Sequence, residues 1–290
     1  MAKPRFDPST VTVRPAATVM LLENRPDLHV LLLRRRAASE FVPGMLVFPG
    51  GGVDEADASP EVDAMTPGLS DAAASARLGL PRGGLAYWVA AIRETFEEAG
   101  VLLASPARDR GAVDWSDPAV AERFAALRGE VDAGRVRLAD AARDEGLLLD
   151  VERVHYAARW ITPVGPPRRY DTRFFVAASP RAQEALHCDR ETVDSEWIRP
   201  GDALARYEAG ELAMLPPTFG MLRVLADYAC AEDAVAAAAR QEDGPDAPAR
   251  LASDGEQWRV LLPGDDDYET GATFAIQAWL RFKTAAADAA

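Results

Sequence analysis

The chain has 290 residues, 48% hydrophobic and 27% charged, enough apolar material for one large domain or two ordinary ones, which excludes a disordered chain. Lys and Arg total 32 against 46 Asp and Glu, so a formal charge of −14 argues against a general nucleic-acid binder, and an anionic ligand has to be met by local cations. Two cysteines and three histidines, without paired-cysteine spacing or H-E-x-x-H, exclude a disulfide framework and the common zinc-hydrolase pattern. No apolar run reaches the ~18 residues of a membrane span, and the expected location is cytoplasmic.

Residues 1–15, broken by Pro4, Pro8 and Pro15, are expected to form an arm, with ordered structure starting near Ala16. Apolar runs at 16–22 and 28–33, separated by turn formers at 23–27, predict a β-hairpin. A short strand at 45–48 ends in Pro49-Gly50-Gly51-Gly52, backbone suited to a sharp bend or a close approach. Residues 58–84 have the character of an insertion, with one short helix at 71–78. The clearest helix spans 86–99 and is followed by Gly100 in C-cap position. Helices at 119–133 and 138–145 make 105–150 a helical segment. Strands are expected at 154–161, 173–178 and 192–198, and helices at 200–209 and 217–229, the latter with Thr218 as N-cap. The main domain thus covers 16–230. A C-terminal extension, 231–290, is expected to pack on it; it contains a polar, alanine-rich stretch at 232–256 with a linker at 243–248, and a strand at 258–262.

The helix at 86–99 has two unlike faces. At about 100° per residue, Trp88, Ile92, Phe96 and Ala99 form an apolar stripe, while Glu94, Glu97 and Glu98 share an arc of roughly 100° on the other side. Arg93 lies one turn before Glu97 and can pair with it. The plain alternative is a solvated acidic face. Against it stands repulsion of up to about 3 kcal/mol for each close carboxylate pair at an effective dielectric of 20, which a divalent cation reverses. Hard oxygen donors without His or Cys select Mg²⁺, Mn²⁺ or Ca²⁺. Magnesium completes its shell with phosphate oxygens, so such a helix beside a glycine turn suggests diphosphate chemistry.

These residues resemble a known signature. Phe48-Pro49-Gly50-Gly51-Gly52-Val53-Asp54, with Arg93-Glu94-Thr95-Phe96-Glu97-Glu98-Ala99-Gly100-Val101, is similar to the box of the Nudix hydrolases, G-x5-E-x7-R-E-U-x-E-E-x-G-U. Its first half is stretched: Gly51 and Arg93 stand 42 positions apart instead of 14, and the surplus coincides with the insertion. Asp57 stands where the family has a glutamate. The resemblance implies an α/β fold, an α/β/α sandwich around a mixed β-sheet, here with helical insertions. It also implies Mg²⁺- or Mn²⁺-dependent hydrolysis of a nucleoside diphosphate joined to another group. Glu94, Glu97 and Glu98 would bind metal, with the Gly51 carbonyl as a further ligand, and Arg93 would orient Glu94 or its neighbour. The general base would be Glu94 or a distant loop glutamate, Glu191 or Glu196.

The long insertion, Trp160-x-Thr162-Pro163, the run from Arg168 to Phe175 and Leu215-Pro216-Pro217-Thr218 resemble the coenzyme A and acyl-coenzyme A diphosphatases of this superfamily. The implied products are 3′,5′-ADP and (acyl-)4′-phosphopantetheine. ADP-ribose or a dinucleotide such as NADH is the alternative substrate, and a non-catalytic ligand-binding regulator the alternative class. A ligand with three phosphates needs concentrated cations; Arg34, Arg35 and Arg36 and Arg168, Arg169 and Arg173 are the available clusters, of which Arg34, Arg35, Arg168 and Arg169 are the expected substrate contacts and Arg173 the expected ion-pair partner of Asp171. The insertion is expected to cap the acyl or pantetheine end. Neither general nucleic-acid nor membrane binding is expected, and a homodimer stays open.

Overall fold

The hairpin of β1 (Val13–Asn24) and β2 (Leu28–Arg35) frames the molecule. Both strands are nearly continuous apolar runs rather than alternating ones, because both faces of the sheet are covered. In this computed structural model residues 7–36, 44–111, 113–180, 183, 192–253, 258–269 and 273–284 are described. After the hairpin come β3 (Leu46–Val47), β4 (Gly50–Gly52), α1 (Val62–Met65), α2 (Asp71–Leu78) and α3 (Leu85–Ala99). The helical segment follows as β5 (Ala104–Pro106), α4 (Pro118–Asp132), α5 (Leu138–Asp144) and β6 (Leu147–Leu149). Next are β7 (His155–Ile161), β8 (Arg169–Ala178), β9 (Thr192–Ile198), α6 (Pro200–Glu208), α7 (Pro216–Leu225), α8 (Ala231–Gln241), β10 (Ala247–Ser253), β11 (Trp258–Leu261) and β12 (Thr273–Leu280).

Ten strands form one sheet in the order β11-β10-β12-β7-β8-β1-β2-β3, with β4 added to β1 and β9 to β2. β1 and β8 run parallel and their neighbours antiparallel, so the sheet is mixed. On one face α1 to α5 bury Trp88, Ile92 and Phe96 against Val19, Leu21 and Phe175. On the other, α6 to α8 bury Leu222 and Leu225 against Met20, Leu22 and Val176. The result is the α/β/α sandwich. No helix among the described residues is long and apolar enough to cross a membrane.

Three local expectations change. β1 starts at Val13, before Ala16, because its first residues pair in parallel with Arg169–Asp171 of β8, and the Pro15 carbonyl accepts from the Val53 amide (3.1 Å). Thr218 is not an N-cap: α7 begins two residues earlier, Leu215 takes the cap position, and Thr218 is buried in the first turn. Beyond 241 the expected strand at 258–262 is present as β11, but it is joined by two strands that the sequence pattern does not predict, β10 and β12. β12 lies beside β7, with Ala278 opposite Trp160, and β10 pairs with β12. The alanines of these strands conceal the two-residue alternation that marks β structure.

Candidate active site

α3 is the element on which the site depends, and both its ends are specified. Gly100 closes it in the left-handed conformation (φ 71°), its amide bonded to the Phe96 carbonyl. Its N-terminus has no cap of its own. α2 supplies one: Asp71 accepts from the amides of Gly83 and Leu85 (both 3.0 Å), and Ser75 Oγ accepts from Gly84 (2.9 Å). A Cβ on Gly84 would lie 2.3 Å from the Ser75 backbone nitrogen, so the two helices meet here without room for a side chain. The inserted segment thus satisfies two of the backbone donors that the first turn of a helix leaves open, Gly84 and Leu85, and the Gly83 amide just before them.

The face carrying the carboxylates is not solvated. Arg93, Glu94 and Glu98 are less than 10% exposed, and β4 and the 3-10 turn Glu55–Ala58 cover them. All five Arg93 donors are used. Nε and Nη2 grip both oxygens of Asp57 (3.0 Å each), Nη1 reaches Glu94 (2.8 Å) and Glu97 (3.1 Å), and Nη2 also donates to the Gly52 carbonyl (2.7 Å). Asp57 is itself held by the Asp54 amide (2.9 Å). The sequence left its part open; in the structure it is 2% exposed and is the principal anchor of Arg93, a job its shorter side chain performs because the 3-10 turn brings it close.

Glu98 accepts from the Gly50 amide (2.8 Å), and the Glu94 carboxyl lies so close to Gly51 that a Cβ there would stand 2.6 Å from it. That close approach is the physical reason for glycine at position 51. Burial works against the charge on Arg93, but the hydrogen bonds to Asp57 and the charges of Glu94, Asp57 and Glu97 outweigh it and raise its pKa. Burial pushes Glu97 up to about 7; Glu94 and Asp132 add to the rise while Arg93 opposes it.

Among the described residues no three His, Cys, Asp or Glu side chains converge closely enough to hold a metal ion as they stand. This differs from the cluster expected of Glu94, Glu97 and Glu98, because Glu97 turns to Arg93 and Glu98 to the Gly50 amide. The donor chemistry nonetheless fits a hard divalent cation: carboxylate oxygens from one helix face lie directly against glycine backbone, the Glu94 carboxyl filling the place a side chain at Gly51 would take.

Strand register brings both predicted arginine pairs to the same end of the sheet as Gly50–Gly52. Arg169 is opposite Val13, Gly52 opposite Ala16, and Arg34 opposite Leu46, four residues before Gly50. Arg34 donates weakly to the Gly44 carbonyl (3.5 Å) and Arg169 to the Thr162 carbonyl (3.0 Å); Arg35 ends β2 and Arg168 is exposed just before β8. Arg173 is 1% exposed and lies 4.0 Å from Asp171, whose close partner is instead Arg159 (2.7 Å). Glu191 lies outside the described residues. Glu196 is opposite Leu32, in the series that faces α6, and is bound by Arg206 (2.7 Å), so it lies on the face of the sheet away from α3. Among the described residues this leaves Glu94 as the base candidate. Sequence reasoning missed Asp71 and Ser75 as supports of the site helix. The signal was present: Ser70 and Asp71 open a short helix just before the uncapped start at Gly84.

Beside Arg93 and Glu97 opens a cavity of about 210 Å³ between the 3-10 turn, α3 and the α4–α5 connection. A larger, shallow depression near Trp197 and Arg206 is remote from these carboxylates, on the α6 side.

The NUDT19 Nudix domain family matches residues 63–225. A chicken (Gallus gallus) protein called acyl-coenzyme A diphosphatase NUDT19 is 32% identical over 302 residues, covering 88% of this chain and 79% of that protein. Its namesake in Xenopus laevis is 29% identical over 238 residues, covering 71% of this chain and 62% of its own length. Among solved structures, a NUDIX hydrolase from Alicyclobacillus acidocaldarius superimposes with a TM-score of 0.63 at 26% identity, over 78% of this chain and 97% of that one.

Proposed function

The chain belongs to the Nudix hydrolases of the NUDT19 type, and on that footing we propose that it cleaves the diphosphate of coenzyme A or acyl-coenzyme A, releasing 3′,5′-ADP and (acyl-)4′-phosphopantetheine. The observation that carries this reading is the likeness to acyl-coenzyme A diphosphatases over most of the chain, in relatives such as the chicken protein. The placement of the arginines supports it. Arg35 on β2, and Arg168 and Arg169 at β8, flank the glycine turn from opposite sides of β1, whereas Arg34, two residues from Leu32, shares the α6-side face of β2 with Glu196. At about 4.8 Å per strand Arg35 and the β8 pair stand roughly 10–15 Å apart, a span suited to a diphosphate and a separate 3′-phosphate.

Glu94, Glu97 and Glu98, with the Gly51 carbonyl, would hold Mg²⁺ or Mn²⁺. When bound, such an ion neutralises diphosphate charge and makes its coordinated water more acidic. The chain's own part is preorganisation. Arg93, fixed by Asp57, holds Glu94 in place before substrate arrives, whereas Glu97 and Glu98 would have to turn from Arg93 and the Gly50 amide to meet the ion. Glu94, set between Arg93 and Gly51, takes the proton of the attacking water, and the arginine clusters hold the outer phosphates.

The test is product analysis on a panel of coenzyme A, acetyl-coenzyme A, ADP-ribose and NADH with Mg²⁺ or Mn²⁺. The expected result is 3′,5′-ADP from the first two at higher kcat/KM than any cleavage of the others. Rapid cleavage of ADP-ribose with coenzyme A untouched overturns the substrate; no turnover of any member overturns catalysis.

A further inference from the structure

Resting on that reading, we propose that the cavity beside Arg93 and Glu97 is the seat of the branched, dimethyl-bearing carbon next to the scissile diphosphate, and that the α4–α5 connection thereby selects the leaving group. The cavity has one charged wall, Arg93 and Glu97, and one apolar wall of Val89, Val131, Val136 and Leu138. Val89, Val131 and Leu138 are buried in the main core, whereas Val136 is half-buried and stands at the opening. Solvent-facing Asp54 and Arg137 line the polar rim.

Distance decides what can occupy it. A divalent ion sits about 2 Å from its carboxylate and phosphate oxygens, so phosphorus held at Glu94–Glu98 lies within a few ångströms of Glu97. Only the group esterified directly to that phosphate reaches the cavity. In coenzyme A this is a CH₂ followed by a carbon with two methyls, then a hydroxyl and an amide. The sulfur lies about a dozen bonds further, roughly 14 Å when extended, so the acyl chain falls outside. At about 30 Å³ for each water displaced, 210 Å³ admits a branched unit of this size. The methyls meet valine and leucine, and the hydroxyl and amide face the Asp54 and Arg137 rim. A ribose in the same place would bring hydroxyls against Val89 and Val131, where they would lose water without a partner.

The segment doing this selection is not the one expected. The apolar wall comes from Val89 and from 131–139, while the insertion caps the start of α3 and supports the wall from behind, through α1 packed on α5 and through Glu61 and Arg137 (3.5 Å).

The test uses full-length protein with Mg²⁺ and two variants, Val136→Trp, which fills the cavity, and Val136→Ser, which makes its wall polar and keeps the position small. Calorimetry measures binding of 4′-phosphopantetheine and 3′,5′-ADP separately, and kcat/KM is measured for coenzyme A. Two methyls seated in an apolar site are worth about tenfold in affinity. Val136→Trp is therefore expected to weaken 4′-phosphopantetheine tenfold or more and to lower kcat/KM in step, with 3′,5′-ADP within twofold of the parent. Val136→Ser, decisive if the tryptophan variant does not fold, is expected to weaken the same half severalfold. Unchanged 4′-phosphopantetheine binding, or equal loss for both halves, overturns the cavity assignment while coenzyme A cleavage by the parent leaves the proposed function standing. A parent that cleaves ADP-ribose and not coenzyme A overturns both.

Discussion

Two arginines are buried in the layer between the sheet and α3, in opposite surroundings. Arg93 spends every donor on four oxygen-bearing neighbours, three of them carboxylates. Arg173, on β8, has a 3.4 Å bond to the Leu78 carbonyl, Asp171 at 4.0 Å, the Tyr87 ring at 5.8 Å, and no partner for Nε. The first lies in a network whose members fix one another. The second fills space and closes the end of α2. A buried ion pair is weak evidence for net stability, but removing one partner strands the others. The partners therefore tell which arginine the molecule depends on.

Replacing each by Met is the strongest way to break this comparison. Arg93→Met leaves Asp57, Glu94 and Glu97 without their cation, and a loss of about 3–5 kcal/mol in urea unfolding, with activity abolished, is expected. Arg173→Met removes a charge with no close carboxylate and an unbonded Nε, its other neighbours being neutral, and should change stability by about 1 kcal/mol at most, in either direction. Comparable losses in the two variants would mean that partner count says nothing about dependence.

Glu98→Gln sharpens the functional half of the contrast. The amide keeps an oxygen for the Gly50 N–H but loses the charge, so kcat/KM is expected to fall about 10²–10³-fold while the melting temperature moves little. A rate within threefold of the parent would remove Glu98 from the machinery.

Glu97 links the same network to pH. With burial holding its pKa near 7 in the folded chain against 4.5 for the free group, the folded state favours the protonated form. Its contribution is fully present below about pH 4.5 and is lost as pH rises through 7, up to about 3 kcal/mol in protein stripped of divalent ions. Unfolding measured from pH 5 to 8 should show that decline in the parent and a flatter profile in Glu97→Gln, which cannot titrate. Added Mg²⁺ or Mn²⁺ should restore stability most at the alkaline end, where the carboxylate is ionised. Parallel profiles would mean that Glu97 is not the group responsible.

Much of this was legible in the chain because local rules governed it. The apolar stripe Trp88, Ile92 and Phe96, the glutamates opposite it and Gly100 at its end need only helical geometry and one glycine, and α2 appears at the residues its pattern predicts, Asp71–Leu78. What stayed hidden depends on distant partners. Arg93 at i,i+4 from Glu97 is visible, but its bond to Asp57 bridges 36 positions across the insertion. Glu196 reads as a plausible base until register turns it toward α6. Of the C-terminal strands, β11 appears where the strand at 258–262 is expected, but β10 and β12 are set by pairing that reaches β7, more than a hundred residues earlier, and their alanine content carries no alternation of its own.

The smallest expected effect tests whether the two ends of α3 are independent. Asp71 caps the start of the helix, and Glu94 to Glu98 lie three turns on, where Arg93, Gly50 and Gly52 hold them to the sheet. Asp71→Ala removes one bond from the first turn and one from the residue before its cap and should cost about 1 kcal/mol, seen as a lower melting temperature and faster hydrogen exchange at Gly83 and Leu85. Below that melting temperature kcat/KM should stay within twofold of the parent, because the Arg93 network rather than the cap fixes the carboxylates. A larger loss of rate in protein that is still folded would show that strain at one end of the helix reaches the other, and that the inserted segment positions the site as well as supporting it.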